Sequence, residues 1–273
     1  MTGSDLALGL TLLLYLAGAV VSGANLFLRR GGLLVAGRLL AVGGALLHTG
    51  AIGLRCAELR QLAPFATPGE ALSVLAWMVV LAYLVAEIVW RLSAAGPFAL
   101  GLAFLLAIAT WLAPDYHGTP DPTLLRSRAI ELHITATLAA IGAFALAFCC
   151  AALYLIEHRI LKHKHGLLWL RRLPPLMTVE RAAFSLVAFG FPLLTLGILA
   201  GFVRFFGGEA LPPGWWLDAH SLLAFIVWGV YGLYLLARLR ANWPPVRTAY
   251  VLLVGLALCL LLFLFPSATH RFG

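Results

Sequence analysis

Charge is scarce in this chain. Only 11% of its 273 residues are Asp, Glu, Lys or Arg, while 62% are hydrophobic and the mean hydropathy is +0.97. A soluble domain carries about a quarter charged residues, so the composition excludes an ordinary water-soluble fold and defines a polytopic membrane protein. Long apolar runs satisfy their backbone in lipid only as helices. The expected fold class is therefore an all-α bundle, one integral membrane domain over 1–273. Acidic residues are rarer than basic ones, 11 against 19, which leaves a formal charge of +8. In a soluble chain that excess would suggest nucleic acid. Here it reflects Lys and Arg in cytoplasmic loops, and no nucleic-acid partner is expected. The four cysteines, Cys56, Cys149, Cys150 and Cys259, form no C-x-x-C pair, which argues against a thiol relay or a Cys-type zinc site. A nucleophile-plus-base constellation, a phosphate loop and an H-E-x-x-H motif are also missing, so hydrolytic and kinase chemistry have no support. The first apolar run has no basic residues before it, and Arg29 and Arg30 follow it; this predicts an uncleaved anchor with its N-terminus outside.

Apolar length is what the chain has in abundance. Eight segments approach the roughly 17–25 residues that cross a bilayer: 6–28, 33–54, 70–90, 97–113, 130–157, 182–206, 219–238 and 247–266. The loops test this reading. Those placed inside hold Arg29, Arg30, Arg38, Arg91, the basic run from Arg159 to Arg181, and Arg238, Arg240 and Arg247. Those placed outside hold fewer cations, Arg55, Arg60, Arg126, Arg128, Arg204 and Arg271. The bias predicts eight transmembrane helices with both termini on the outer side.

That topology sorts the histidines by depth. His133 lies near the outer start of the fifth span, His220 at the outer start of the seventh, and His270 just past the outer end of the eighth. His48 lies in the second span about six residues from its outer end, roughly 9 Å deep at 1.5 Å per residue. Four histidines from four spans thus converge on the outer leaflet. Taken alone, His133 reads equally as a packed, hydrogen-bonded histidine. Taken with His220 and His270, and with His48 deeper down, it points to a shared ligand site, because ionisable side chains in a membrane face a partner or a cavity. Neutral imidazole ligates haem iron, and two can hold it from opposite faces. By contrast His158, His163 and His165 belong to a basic inner loop that reads as a solvated face against anionic lipid.

Gly214-Trp215-Trp216-Leu217-Asp218-Ala219-His220 stands where a polar loop meets the seventh span. Trp215 and Trp216 fit an interfacial aromatic belt. They fit equally a flat shelf for a porphyrin face, with Asp218 orienting a nearby donor; periodicity does not choose. Glu87 and Glu131 sit near span ends, where a carboxylate reaches water. Pro192 should kink the sixth span, and Cys149-Cys150 should pack as small apolar groups.

Four stretches resemble a known family. They are Leu46-Leu47-His48-Thr49 through Arg55 with Glu70-Ala71-Leu72 and Trp77; Glu131-Leu132-His133; Gly190-Phe191-Pro192-Leu193-Leu194-Thr195-Leu196-Gly197-Ile198; and Ser267-Ala268-Thr269-His270-Arg271-Phe272. Together they are similar to the haem-handling cytochrome c assembly proteins of the CcsA/CcmC type, most closely the shorter HemX/YpjD-like branch. The resemblance implies that His133 and His270 are the axial ligand pair of a b-type, non-covalently held haem. It makes Trp215, Trp216 and Asp218 a reduced remnant of the family's tryptophan-rich signature, and matches Trp228 to a further family tryptophan. The chain departs from the pattern in several places. Trp216-Leu217-Asp218 is shorter than the signature, Ala219-His220 replaces a Pro-Lys pair, and a membrane histidine is replaced by Leu236 or a neighbour. His220 is an extra outer imidazole, a trait of the HemX/YpjD branch.

The resemblance further implies a multi-pass protein of the bacterial inner (cytoplasmic) membrane that delivers haem to apocytochrome c beside a second membrane subunit. It would be a haem chaperone or a non-catalytic part of the attachment system. Two other readings stay open: a HemX-like membrane regulator or scaffold of haem biosynthesis acting through its basic inner loop, and a small-solute transporter broken at Pro192 and Gly197. Inverted repeats, which would favour the transporter, are not apparent.

Overall fold

The computed structural model describes residues 2–28, 30–59, 67–113, 128–164, 173–206 and 218–262. These form the helices α1 (Gly3–Leu28), α2 (Gly31–Leu59), α3 (Pro68–Trp90), α4 (Gly96–Leu112), α5 (Arg128–His163), α6 (Leu176–Phe206), α7 (Ala219–Leu239) and α8 (Pro245–Leu261), with a 3₁₀ turn at Ser93–Ala95. The described residues contain no strand. Among the described residues seven helical segments are long and apolar enough to cross a membrane, α4 being counted together with the 3₁₀ turn before it as Ser93–Leu112; α8 is a shorter apolar helix of 17 residues. Each apolar span expected from the sequence falls on one helix, the eighth as far as Leu261, with 263–266 outside the described residues. Several helices outrun their spans, because the backbone ladder continues where water takes over from lipid. α2 runs on through Arg55 and Glu58, and α5 on to His163.

Local chemistry sets the ends. Thr67 caps α3 by accepting the Glu70 amide at 3.2 Å, Pro68 fills the first turn, and Glu70 adds a carboxylate to it. α3 stops where Arg91 turns left-handed, φ 52°, and α5 stops at Lys164, φ 55°. Pro192 lies inside α6, which runs through it unbroken. The amide that proline lacks leaves the Ala188 carbonyl short of a partner, on the outward side of the helix.

The end of the bundle at which α1 begins is termed the upper end. α2 lies antiparallel on α1, with His48 beside Tyr15, and α3 lies antiparallel on α2, with Trp77 bonded to Thr49. α4 returns along α1 and α3. In the second half α6 packs along α5, α8 packs on both α5 and α7, and α7 leans on α6. α5 is the most enclosed helix. Its run of Ala, Gly and Cys from Ala139 to Ala152 lets α3, α6 and α8 approach closely, which is how helices gain contact without a hydrophobic driving force. Cys149 and Cys150 are buried there as free thiols.

The two halves repeat one another. Gly44 on α2 faces the Tyr15 ring of α1 so closely that a Cβ would lie 2.7 Å from it; Gly190 on α6 faces the Phe144 ring of α5 at the same 2.7 Å. Five residues on from each glycine stands a threonine that accepts a tryptophan indole from the next helix, Trp77 to Thr49 and Trp228 to Thr195, each at 3.0 Å. Both threonines donate to the carbonyl one turn back. At the lower end an ion pair ties the same helices, Arg38 to Glu87 across α2 and α3, and Glu180 to Arg238 across α6 and α7, with the charges exchanged. The spacing Trp77, Tyr83, Glu87 recurs as Trp228, Tyr234, Arg238. The repeat is tandem and not inverted. It also corrects one expectation: Glu87 does not reach for water but is buried against Arg38.

Candidate functional site

The upper ends of α5, α6 and α7 hold the histidine site. His133 occupies the second turn of α5, half-buried, with its ring turned toward α6. Its Nδ1 lies 2.7 Å from the carbonyl oxygen of Gly197. A carbonyl only accepts, so Nδ1 carries the proton and donates, and the basic lone pair of the imidazole is on Nε2. A backbone carbonyl that fixes the tautomer and orients the ring is the usual support behind a metal-ligating histidine.

The seat for that ring is made of glycine. A Cβ on Gly201 would stand 3.0 Å from His133 Nδ1 and 3.3 Å from Cε1, and one on Gly197 would run into the Thr137 hydroxyl. Any larger side chain at either position would displace the imidazole or part the helices. Sequence analysis did not single this seat out; the spacing of Gly197 and Gly201, one turn apart on one face, is the signal that could have found it.

α7 begins at the same end of the bundle. Asp218 takes the cap position in extended backbone, φ −62° and ψ 141°, but its side chain makes no capping bond. Its Oδ2 is buried, with no hydrogen-bond partner among the described residues. A carboxylate so placed is an acceptor in want of a donor. His220 follows, half-buried, in the first turn of α7. α6 links the two sides: Gly201 meets His133, while its neighbour Phe202 packs on Phe225 of α7 at 6.2 Å. Lower down, Trp228 stacks on Phe191 at 5.4 Å as its indole bonds Thr195. The Gly190-to-Gly201 stretch of α6 is thus a common wall against which both α5 and α7 are fixed.

His48 stands elsewhere. It is fully buried among α1, α2 and α3, and both ring nitrogens are engaged: Nδ1 with the Tyr15 hydroxyl and Nε2 with the Ser73 hydroxyl, each at 3.0 Å. Above it Arg55 is buried against Glu70 at 3.2 Å, and Ser4 bonds the Glu58 carboxylate. His48 faces this interior network, whereas His133 faces α6. Tyr15 and Ser73 were not singled out by sequence reasoning, since nothing in their spacing sets them apart. Trp215, Trp216 and His270 lie outside the described residues. The described residues contain no group of three or more His, Cys, Asp and Glu side chains disposed to hold a bare metal ion.

Fold and site together define a multi-pass helical membrane protein with an oriented imidazole, backed by a carbonyl, at one end of the bundle. The chain belongs to the cytochrome c assembly protein family, whose model matches residues 66–270. It is similar to the protein HemX of Bacillus subtilis (strain 168), 30% identical over 171 residues, 62% of this chain and 61% of that one. It is likewise similar to HemX of Brevibacillus brevis, 30% identical over 139 residues, 51% and 50% of the two chains. The cytochrome c biogenesis protein CcsA of Synechococcus sp. (strain CC9902) is 28% identical over 247 residues, 80% and 79%. The chain spans 50% and 61% of the length of the two HemX relatives.

Proposed function

We propose that this chain is a haem-binding protein of cytochrome c assembly that holds b-type haem, without a covalent bond, at the upper end of its bundle for delivery to apocytochrome c. The observation that carries the reading is the Nδ1 bond of His133 to Gly197, which leaves the ligating lone pair on Nε2. Family membership points to haem as the ligand that such an imidazole serves. His133 and His270 are the axial pair in this reading, with His220 the further imidazole beside them. Trp215 and Trp216 would lie along the porphyrin. The buried Asp218 oxygen would accept from a donor brought by the ligand. Bound haem supplies reactive vinyl groups, and the acceptor supplies thiols; this chain contributes orientation and exclusion of water. His133 keeps its proton on Nδ1 throughout, held there by the carbonyl.

The upper end is then the outer side of a bacterial inner membrane, with both termini on it, and a second membrane subunit stands beside the chain. The HemX names among the relatives favour one further reading, a membrane regulator or scaffold of haem biosynthesis acting from the basic inner loop. One experiment separates the two: absorption spectra, oxidised and reduced, of detergent-purified wild type, His133→Ala and His270→Ala. A six-coordinate bis-histidine spectrum weakened by both changes supports delivery. A colourless wild type that also refuses added haem sinks it, and loss of function on neutralising Arg171 and Arg172 with both histidines dispensable supports regulation.

A further inference from the structure

The tandem repeat makes one helix face conspicuous. Within the chain the halves meet through α3 and α5: Met78, the residue after Trp77, sits over Gly142, where an added Cβ would lie 2.8 Å from the Met78 Cβ. Gly142 stands two residues before Phe144, the ring that Gly190 faces. The counterpart of α3 in the second half is α7, and the counterpart of α5 in the first half is α1. Among the described residues those two helices do not form a packed pair. The residue after Trp228 is Gly229, and a Cβ there would meet nothing within 4 Å. Around it Leu222, Phe225, Ile226 and Leu233 are exposed. On α1, the residue two before Tyr15 is Leu13, 62% exposed, in a stripe with Leu6, Leu10 and Val20.

The sizes at this level are exchanged. Inside the chain a large residue on α3 fits over a glycine on α5; on the unused faces the glycine is on α7 and the large residue on α1. Lipid covers any apolar face equally well, so exposure alone says nothing. A glycine in a stripe of large residues, opposite a leucine at the matching register, is what close helix approach in a membrane uses. We propose that the Gly229 face of α7 docks the Leu13 face of α1 from a second copy of this chain, repeating between molecules the junction that α3 and α5 make within one. The two helices run in the same direction, as α3 and α5 are placed to do, so both copies keep one orientation in the membrane. The contact is head-to-tail, so it extends to a ring or an array.

The test uses the full chain in membranes. Two differently tagged copies, one Leu13→Cys and the other Gly229→Cys, both with Cys56→Ser, are co-expressed and oxidised. The equivalent residues within the chain, Met78 and Gly142, are in direct contact, nearer than the roughly 3.5–4.5 Å between disulfide Cβ atoms, so a disulfide between the two copies is expected after a small outward shift of the helices. None should form when Gly229→Cys is replaced by Ile88→Cys, an 80% exposed position on α3. Light scattering in nanodiscs should show an oligomer for wild type and its loss in Gly229→Leu. That variant points into open space within the monomer, so its fold, read by circular dichroism, stays intact. A wild type of single-copy mass, a 13–229 link no stronger than the 13–88 control, or an oligomer that survives Gly229→Leu each overturns the proposal. None of these readouts depends on haem.

Discussion

At the scale of single residues, the two histidines on α2 and α5 are held by different kinds of partner. His48 has both nitrogens occupied by neighbours, and His133 has one nitrogen turned to a carbonyl that dictates the role of the other. Ser73→Ala should therefore lower thermal stability by roughly 1–3 kcal/mol, through the imidazole nitrogen it leaves unpaired, and leave any haem spectrum unchanged. A melt and a spectrum on the same sample check this; lost colour with the fold intact would make His48 part of the ligand site. Gly201→Ala should do the reverse, pressing a methyl on the His133 ring. Overpacking of this kind costs about 1–3 kcal/mol, and the expected signature is weakened haem retention with membrane insertion preserved. The sequence put His48 on the second span and His133 near the start of the fifth, and both stand on the corresponding helices. It did not separate them, because the separation lies in hydroxyls and a carbonyl on other helices, and depth along a span carries no information on which way a helix is turned.

At the scale of helices, the apolar runs were legible: among the described residues each of the eight lies on a helix of its own, and several helices continue beyond their runs into polar residues. What was not legible is how the helices are tied. The lower end of α6 is held to α7 by Glu180 and Arg238, whose side chains are 16% and 22% exposed. Glu180→Arg or Arg238→Glu alone should loosen this end and lower the yield of folded protein. The double exchange should restore much of it, since the first half of the molecule carries the pair in the opposite sense. A pulse-proteolysis series on the single and double variants checks this. Thr195→Val should release the Trp228 indole, a loss on the order of 1 kcal/mol for a bond between membrane helices, read as increased Trp228 accessibility to a fluorescence quencher.

At the scale of the molecule, the tandem arrangement escaped sequence reasoning for a physical reason. The halves share only some identities, among them Gly44 with Gly190, Thr49 with Thr195, Trp77 with Trp228 and Tyr83 with Tyr234, while Tyr15 answers to Phe144, Met78 to Gly229, and an Arg–Glu pair to a Glu–Arg pair. A search for inverted repeats looks for the wrong relation, because a unit with an even number of crossings is copied without being turned over. The family match itself begins at residue 66, so it takes in the whole second half but only part of the first.

That evenness bears on how the protein is built in a cell. Among the described residues each half starts and finishes at one end of the bundle and makes most of its packing within itself, so neither should need the other to choose its orientation. A gene cut between 114 and 127 should thus give two fragments that insert separately and find each other through α3 and α5, recoverable as a pair on a tag carried by only one of them. The junction between the halves is then a seam that assembly crosses last, and Met78 over Gly142 is where it would first be felt if it failed to close.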